Sequence, residues 1–342
     1  MSSLIEGLSD DVFLMCLSRL PLSQHPGLSL VCCAWRAAVQ SVELLKTRQE
    51  VNFTEDFICV SAEEPNNVWQ LYDPRENLWI TIPTLPSQIH HISYFSAVSV
   101  AGKLFVLGGG HNPKTLEEGD EGIFATNEVW SYEPVTKKWA ICAPMVTPRI
   151  MFACGVVNGK IVVAGGFDAS RNPTAKAETY DPENNVWNLM PDLNHTNDSL
   201  CHGVVVKGKM HVVHMGFPTV QKFDNEEQAW RTDICSWSDN PVVVVQDEIY
   251  VKSYHRRCYY NRNAEHKSFG FDNKFGSGMA SLGNKICIFG GVEKNQTPYG
   301  LPFPNSDVTV LRFGRSGPPA LGVAAPMTRC RGIILACTSM RV

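Results

Sequence analysis

Met151-Phe-Ala-Cys-Gly-Val-Val-Asn-Gly-Lys-Ile-Val-Val-Ala-Gly-Gly166, followed by Glu178-Thr-Tyr-Asp-Pro182 and Trp187, is the stretch whose reading decides the architecture. Two apolar runs split by Asn158-Gly159 read as a β-hairpin, because a two-residue hairpin turn needs positive φ and these residues adopt it readily. The glycine pair closes the second strand. Tyr180-Asp-Pro182 ends a third strand in a turn, since proline has no N–H to give a ladder. Trp187 then opens a fourth strand, and the bulky Leu193 follows six residues on. The unit has four strands.

It recurs on both sides. Lys103-Leu-Phe-Val-Leu-Gly-Gly109 and Lys285-Ile-Cys-Ile-Phe-Gly-Gly291 repeat the glycine-closed strand, and Lys209-Met-His-Val-Val-His-Met-Gly216 is a degraded copy. Trp69-Gln-Leu-Tyr-Asp-Pro74 with Trp79, Trp130-Ser-Tyr-Glu-Pro134 with Trp139, and Lys222-Phe-Asp224 with Trp230 repeat the second half. A fifth unit keeps strand-like runs at Val242–Val245, Glu248–Val251 and Cys258–Tyr260 but no glycine pair. The tryptophans at 79, 139, 187 and 230 fall roughly 40–60 residues apart, the spacing of four-stranded propeller blades.

The ends set the blade count. Phe57–Val60, Val68–Tyr72 and Leu78–Thr81 make three strands with the first one missing. Near the C-terminus, Ala325-Pro-Met-Thr-Arg329 copies Ala143-Pro-Met-Val-Thr-Pro-Arg149, a segment that leads into a first strand. Gly332–Cys337 is therefore expected beside Phe57–Val60, closing a six-bladed ring that leaves no free sheet edge. The expected fold is mainly β, with a small all-α module over residues 1–50 and a propeller over 51–342. Residues 331–339 complete the first blade, and the others span about 94–145, 150–193, 200–235, 241–271 and 277–327.

Residues 1–50 differ in texture. Leu28, Val31, Cys32, Trp35 and Val39 lie on one face of an expected helix, and Ser9 can cap another through Val12–Leu17. Pro21 and Pro26-Gly27 are expected to break the chain between helices. Val42–Lys46 reads as helix leading to the propeller rather than as a flexible tether. Fifty residues of short helices can hardly bury their own apolar surface, so a partner is expected.

Leu8-Ser-Asp-Asp-Val12, Cys16-Leu-Ser-Arg-Leu-Pro21 and Leu28-Ser-Leu-Val-Cys-Cys-Ala-Trp-Arg36 resemble the F-box, with Ser9 where proline is usual. The paired glycines, Tyr-Asp-Pro strand ends and spaced tryptophans resemble the kelch repeat. Together they resemble the F-box/kelch proteins abundant in land plants, of the Skp-interacting type. That resemblance implies a substrate-recognition subunit of a Skp-cullin-F-box ubiquitin ligase, itself non-catalytic. Its F-box would bind a Skp-type adaptor, and through it the cullin and RING subunits, while the propeller would hold a target protein. The implied adaptor contacts are Leu8, Val12, Leu17, Leu20, Pro21, Val31 and Trp35. Alternatives are a ligase-independent scaffold and a metal-dependent kelch enzyme of specialised metabolism.

Antiparallel strands alternate in direction, so the loops between second and third strands share a face with the blade-to-blade linkers. The longest insertions fall on that face, at Gly110–Asn127, Phe167–Ala175 and Val292–Asp307. Arg149, Arg329 and Arg331 sit at blade junctions there, and Arg171 and His111 in its loops. Loops on a rigid scaffold carry recognition, and arginine suits acidic or phosphorylated motifs. These five are the expected target-binding residues, although the junction arginines could equally tie blade to blade.

The remaining composition narrows the rest. The 342 residues carry a net charge of −4 with pI near 6.2, and no basic run that would hold nucleic acid or an anionic membrane. No apolar run reaches the ~20 residues of a membrane span, and the N-terminus does not read as a signal peptide. Twelve cysteines include no Cys-x-x-Cys, which argues against a common zinc site and for free thiols in a cytoplasmic or nuclear setting. His211 and His214 are three apart on a strand and point to opposite faces, while His90-His91 lack a neighbouring carboxylate. No cofactor is expected.

Overall fold

The computed structural model describes residues 5, 7–87, 92–111, 124–235, 241–252, 259–262, 265–268, 274–293, 303–314 and 319–342. Six four-stranded antiparallel sheets hold most of the strand residues described. The sheet built on the opening stretch runs Ala153–Val157, Lys160–Ala164, Ala177–Asp181, Val186–Met190, in sequence order. Four others repeat that order over 96–141, 201–234, 242–268 and 278–324. The remaining sheet is composite: Arg331–Arg341 pairs with Asp56–Glu64, which is followed by Trp69–Asp73 and Leu78–Ile82. Register runs from Asp56↔Arg341 through Val60↔Cys337 to Glu64↔Arg331, so this strand extends beyond the expected 331–339. Innermost strands contact their neighbours in turn, and Arg331–Arg341 touches both Ser96–Val100 and Gly278–Leu282.

The repeat residues earn their spacing by stitching each blade to the one before it. The indole N–H of Trp139 donates to the Pro83 carbonyl at 2.9 Å, Trp187 to Ala143 at 2.9 Å and Trp230 to Pro191 at 2.8 Å. Trp79 makes the equivalent bond across the chain ends, to Ala325 at 2.8 Å. The copied segments are held alike, with Ala143 N donating to Asn185 and Ala325 N to Asn77. Leu85, Met145 and Leu193, six residues beyond Trp79, Trp139 and Trp187, are buried.

The glycine pairs have a steric reason. Gly165 and Gly166 take φ of +69° and +83°, and a Cβ on Gly166 would stand 2.4 Å from the Ile150 carbonyl oxygen. That close approach is where the incoming linker crosses the top of the second strand.

Four α-helices precede the sheets: α1 Asp10–Leu17, α2 His25–Leu28, α3 Cys33–Val39 and α4 Val42–Glu50. Ser9 caps α1 by accepting from Val12 N, and Ser41 caps α4 by accepting from Leu44 N. The single helix expected through Leu28–Val39 does not form. Cys32 is extended, at φ −161°, and caps α3 through its Sγ, which accepts from Trp35 N. Pro26-Gly27 likewise does not break a helix; Pro26 lies in the first turn of α2, where a missing N–H costs nothing.

One apolar core runs unbroken from the helices into the first two blades, joining Phe13, Leu17, Val39 and Leu44 to Phe57, Trp69, Tyr132 and Val135. Val135 belongs to the turn between the third and fourth strands of the second blade, so the helices pack on the face opposite the long loops.

Candidate functional site

Two surfaces face outward from this frame. The first belongs to the helices. Phe13 and Leu17 point inward from α1, while Val12 and Met15 on its other side are exposed, each at 44%. The turn between α2 and α3 holds the most exposed apolar pair of the module, Leu30 at 79% and Val31 at 59%. Val42, at the start of α4, is also exposed.

The module is fixed to the propeller by a buried charge pair. Arg48 on α4 and Glu55 are each 2% exposed and meet at 2.6 Å. Arg48 also donates to the carbonyls of Ser18 and Leu20, at the end of α1. The same Glu55 oxygen accepts from Leu22 N at 2.9 Å, and the Glu55 backbone pairs with Val342 in both directions. The α1–α2 connection and α4 therefore meet at the Glu55 carboxylate, while Val342, just past Arg331–Arg341, meets the Glu55 backbone.

The second surface is the opposite face. Among the described residues, every exposed large aromatic lies there: Tyr94, Phe217, Phe275 and Phe303, in linkers or in loops between second and third strands. Arg171, in the loop between the second and third strands of the third blade, has its guanidinium 4.9 Å from the Phe124 ring centroid. An open cleft of about 520 Å³ lies at the junction of the sixth and first blades, lined by Glu64, Pro65, Ser306 and Met327–Arg331.

Residues 5–47 match the F-box domain model, and residues 91–146 and 148–194 match the Kelch motif model. The F-box/kelch-repeat protein SKIP30 of Arabidopsis thaliana is 44% identical over 347 residues, covering 100% of this chain and 98% of that protein. This chain belongs to the F-box/kelch-repeat family. A second Arabidopsis thaliana relative, F-box/kelch-repeat protein At1g16250, is 28% identical over 84% of this chain and 83% of its own length. The solved structure of YjhT superimposes with a TM-score of 0.61 at 13% identity, over 78% of this chain and 95% of its own, a likeness of fold.

The F-box residues expected at an adaptor surface divide by exposure. Val12 and Val31 face solvent, while Leu8, Leu20, Pro21 and Trp35 are half-buried. Leu17 is a correction: at 2% exposed it packs into the shared core with Phe13, on the side of α1 away from the exposed Val12 and Met15. Sequence reasoning missed Leu30 and Met15. Leu30 sits inside the quoted motif, but a continuous helix would have turned it away from the apolar stripe.

The kelch residues divide too. Arg149 is a second correction. It is fully buried, bonded to Glu178 at 2.5 Å and to the carbonyls of Gly165 and Lys176, so it ties the second blade's linker to the third blade. The signal was available in Glu178, which aligns with Gln70 and Gln221, two more side chains that bind linker backbone. Arg171, Arg329 and Arg331 are exposed on the loop face, Arg331 paired with Glu64 at 3.1 Å. His111 is half-buried, in a short strand beside Ile92. Residues 112–123 and 294–302 of the long insertions and His90-His91 lie outside the described residues.

His214 lies 3.4 Å from the Cys201 Sγ, with the His195 ring 5.9 Å away, while His211 bonds the Lys209 carbonyl. Among the described residues no group of three such side chains could hold a metal ion.

His25 of the F-box is fully buried, and burial, then the charges of Arg48 and Lys137, hold its pKa down to about 4. The folded F-box thus keeps the ring neutral, whereas an unfolded one protonates near 6.5. Stability is full above pH 6.5 and falls as pH drops from there toward 4, by on the order of 3 kcal/mol from this group. Urea unfolding followed between pH 7 and pH 4 should show a smaller decline in His25→Gln. His214, also held to about 4, adds its own increment to both proteins.

Proposed function

We propose that this F-box/kelch-repeat protein is a non-catalytic substrate receptor of a Skp-cullin-F-box ubiquitin ligase, working in a reducing cytoplasmic or nuclear setting. Val12, Met15, Leu30 and Val31 dock a Skp-type adaptor, and the opposite face of the propeller holds a target protein. The observation that carries this reading is that the F-box leaves Val12, Met15, Leu30 and Val31 exposed, while the exposed large aromatics among the described residues all lie on the opposite face of the propeller. Aromatic residues and arginine are the side chains most enriched at the energetic centres of protein interfaces, and Tyr94, Phe217, Phe303 and Arg171 supply them on the loop face.

The role needs no reacting groups. Holding a target beside the ubiquitin-loaded conjugating enzyme converts a bimolecular transfer into an effectively intramolecular one. The buried Arg48–Glu55 pair supports this by keeping target and adaptor in a fixed relation.

The test replaces Leu30 and Val31 by aspartate together. Both are exposed, so the melting temperature should hold within the scatter of surface substitutions. Binding to a purified Skp-type adaptor should fall about 100-fold or more, as expected for two charges placed at an apolar hot spot. Unchanged binding, measured calorimetrically, would remove the adaptor surface assigned here.

A further inference from the structure

The thiols of this chain sort sharply by position. Among the described cysteines, Cys16, Cys32 and Cys33 are exposed, and all three lie in the F-box. Cys59, Cys201, Cys235, Cys287 and Cys330 are buried in the blades. Burial pushes Cys201, Cys287 and Cys330 up to about 11, and Cys154 and Cys337 up to about 12, so these remain inert thiols near neutral pH.

The exposed set stands within the surface argued above to dock the adaptor. Cys16 follows Val12 by one helical turn on the outer side of α1. Cys32 and Cys33 directly follow Leu30 and Val31. Cys32 has a further feature. Its exposed Sγ accepts the Trp35 N–H at 3.4 Å, so an adduct on this sulfur would also disturb the first turn of α3.

We propose that these cysteines, Cys32 foremost, form a redox modification site at which disulfide exchange with oxidised glutathione prevents adaptor docking. The Cys32 thiolate attacks one sulfur of the glutathione disulfide. A new S–S bond joins Cys32 to glutathione, the old S–S bond breaks, and the second glutathione leaves as thiolate and takes up the proton that Cys32 lost. The adduct places a charged tripeptide beside Leu30 and Val31, where an apolar contact has no room for it. It also burdens the sulfur that caps α3. Docking in turn covers the thiols, so adaptor and oxidant exclude one another, and each must weaken the other by the same factor. The docking half of this inference rests on the adaptor reading above; the modification half does not.

The experiment incubates the full-length chain with oxidised glutathione under native conditions, maps adducts by peptide mass spectrometry, and measures affinity for a purified Skp-type adaptor before and after. Adducts should appear on Cys32, Cys33 and Cys16 ahead of Cys59, Cys201 and Cys287. Affinity should fall at least about tenfold, which is the effect of one charged group left without a partner in an apolar contact, and dithiothreitol should restore it. The triple variant C16S/C32S/C33S should fold, because serine caps a helix better than cysteine, and its affinity for the adaptor, whatever its starting value, should not change on treatment with the oxidant. Adducts spread without preference, or none on the F-box, would overturn the site. An adduct-bearing chain that binds as well as the reduced one would overturn its effect on docking. A reduced chain that binds no adaptor would instead sink the adaptor reading and the docking half with it, leaving the mapping to decide the modification site.

Discussion

A chain ending at Cys330 is expected to lose its cooperative unfolding transition and to run as aggregate in size-exclusion chromatography. The missing strand, Arg331–Arg341, pairs along Asp56–Glu64 and contacts the inner strands of two other blades. Without it Phe57, Ile58 and Val60, all fully buried, lose cover on one side. Asp56–Glu64 then becomes an apolar strand with a free row of backbone donors and acceptors, the arrangement that recruits other chains. The Trp79–Ala325 and Gln70–Cys330 bonds would survive, but they fasten only the linker. The loss should exceed about 5 kcal/mol, the lower end of a domain's whole stability. A truncated chain that melts within a few degrees of the full one would show that the strand is an accessory.

Arg48→Met is expected to cost about 3–5 kcal/mol in urea unfolding, because it leaves the Glu55 carboxylate buried with no cation. Two carbonyls, of Ser18 and Leu20, lose their donor in the same step. The damage should concentrate at the joint between F-box and propeller, so limited proteolysis should cut first within 51–55. Arg48→Lys should recover only part of the loss, since one ammonium cannot reach both carbonyls and the carboxylate in the planar geometry that guanidinium allows. A loss below about 1 kcal/mol, the worth of an exposed pair, would mean that the joint is held by apolar packing alone.

Much of the fold was legible because the repeat residues do jobs that few others can do. Gly165-Gly166 must let a linker cross the strand top, and Trp187 must reach a carbonyl on the preceding linker. Such demands leave spaced signatures, and the copied Ala-Pro-Met segment carried them to the chain ends. The helical module was less legible. From Val12 to Leu17 every residue of α1 is apolar, so periodicity could not tell Leu17, which packs against the propeller, from Met15, which faces out. The break at Cys32 was hidden because a free thiol is an uncommon helix cap. Arg149 was misplaced for a different reason: an arginine at a junction looks the same in sequence whether its partner is a ligand or Glu178. The Arg48–Glu55 pair left no pattern at all, since it joins two residues only once.

The tryptophans that stitch the blades have a spectroscopic consequence. Trp79, Trp139, Trp187 and Trp230 place an indole at the seams between blades six and one, one and two, two and three, and three and four. No tryptophan lies beyond position 237, so the seam between blades five and six carries no such emitter. Intrinsic fluorescence will therefore report one arc of the ring and remain dark to the rest. Disagreement between an emission melt and a far-ultraviolet circular dichroism melt would be a direct measure of how independently that dark arc opens.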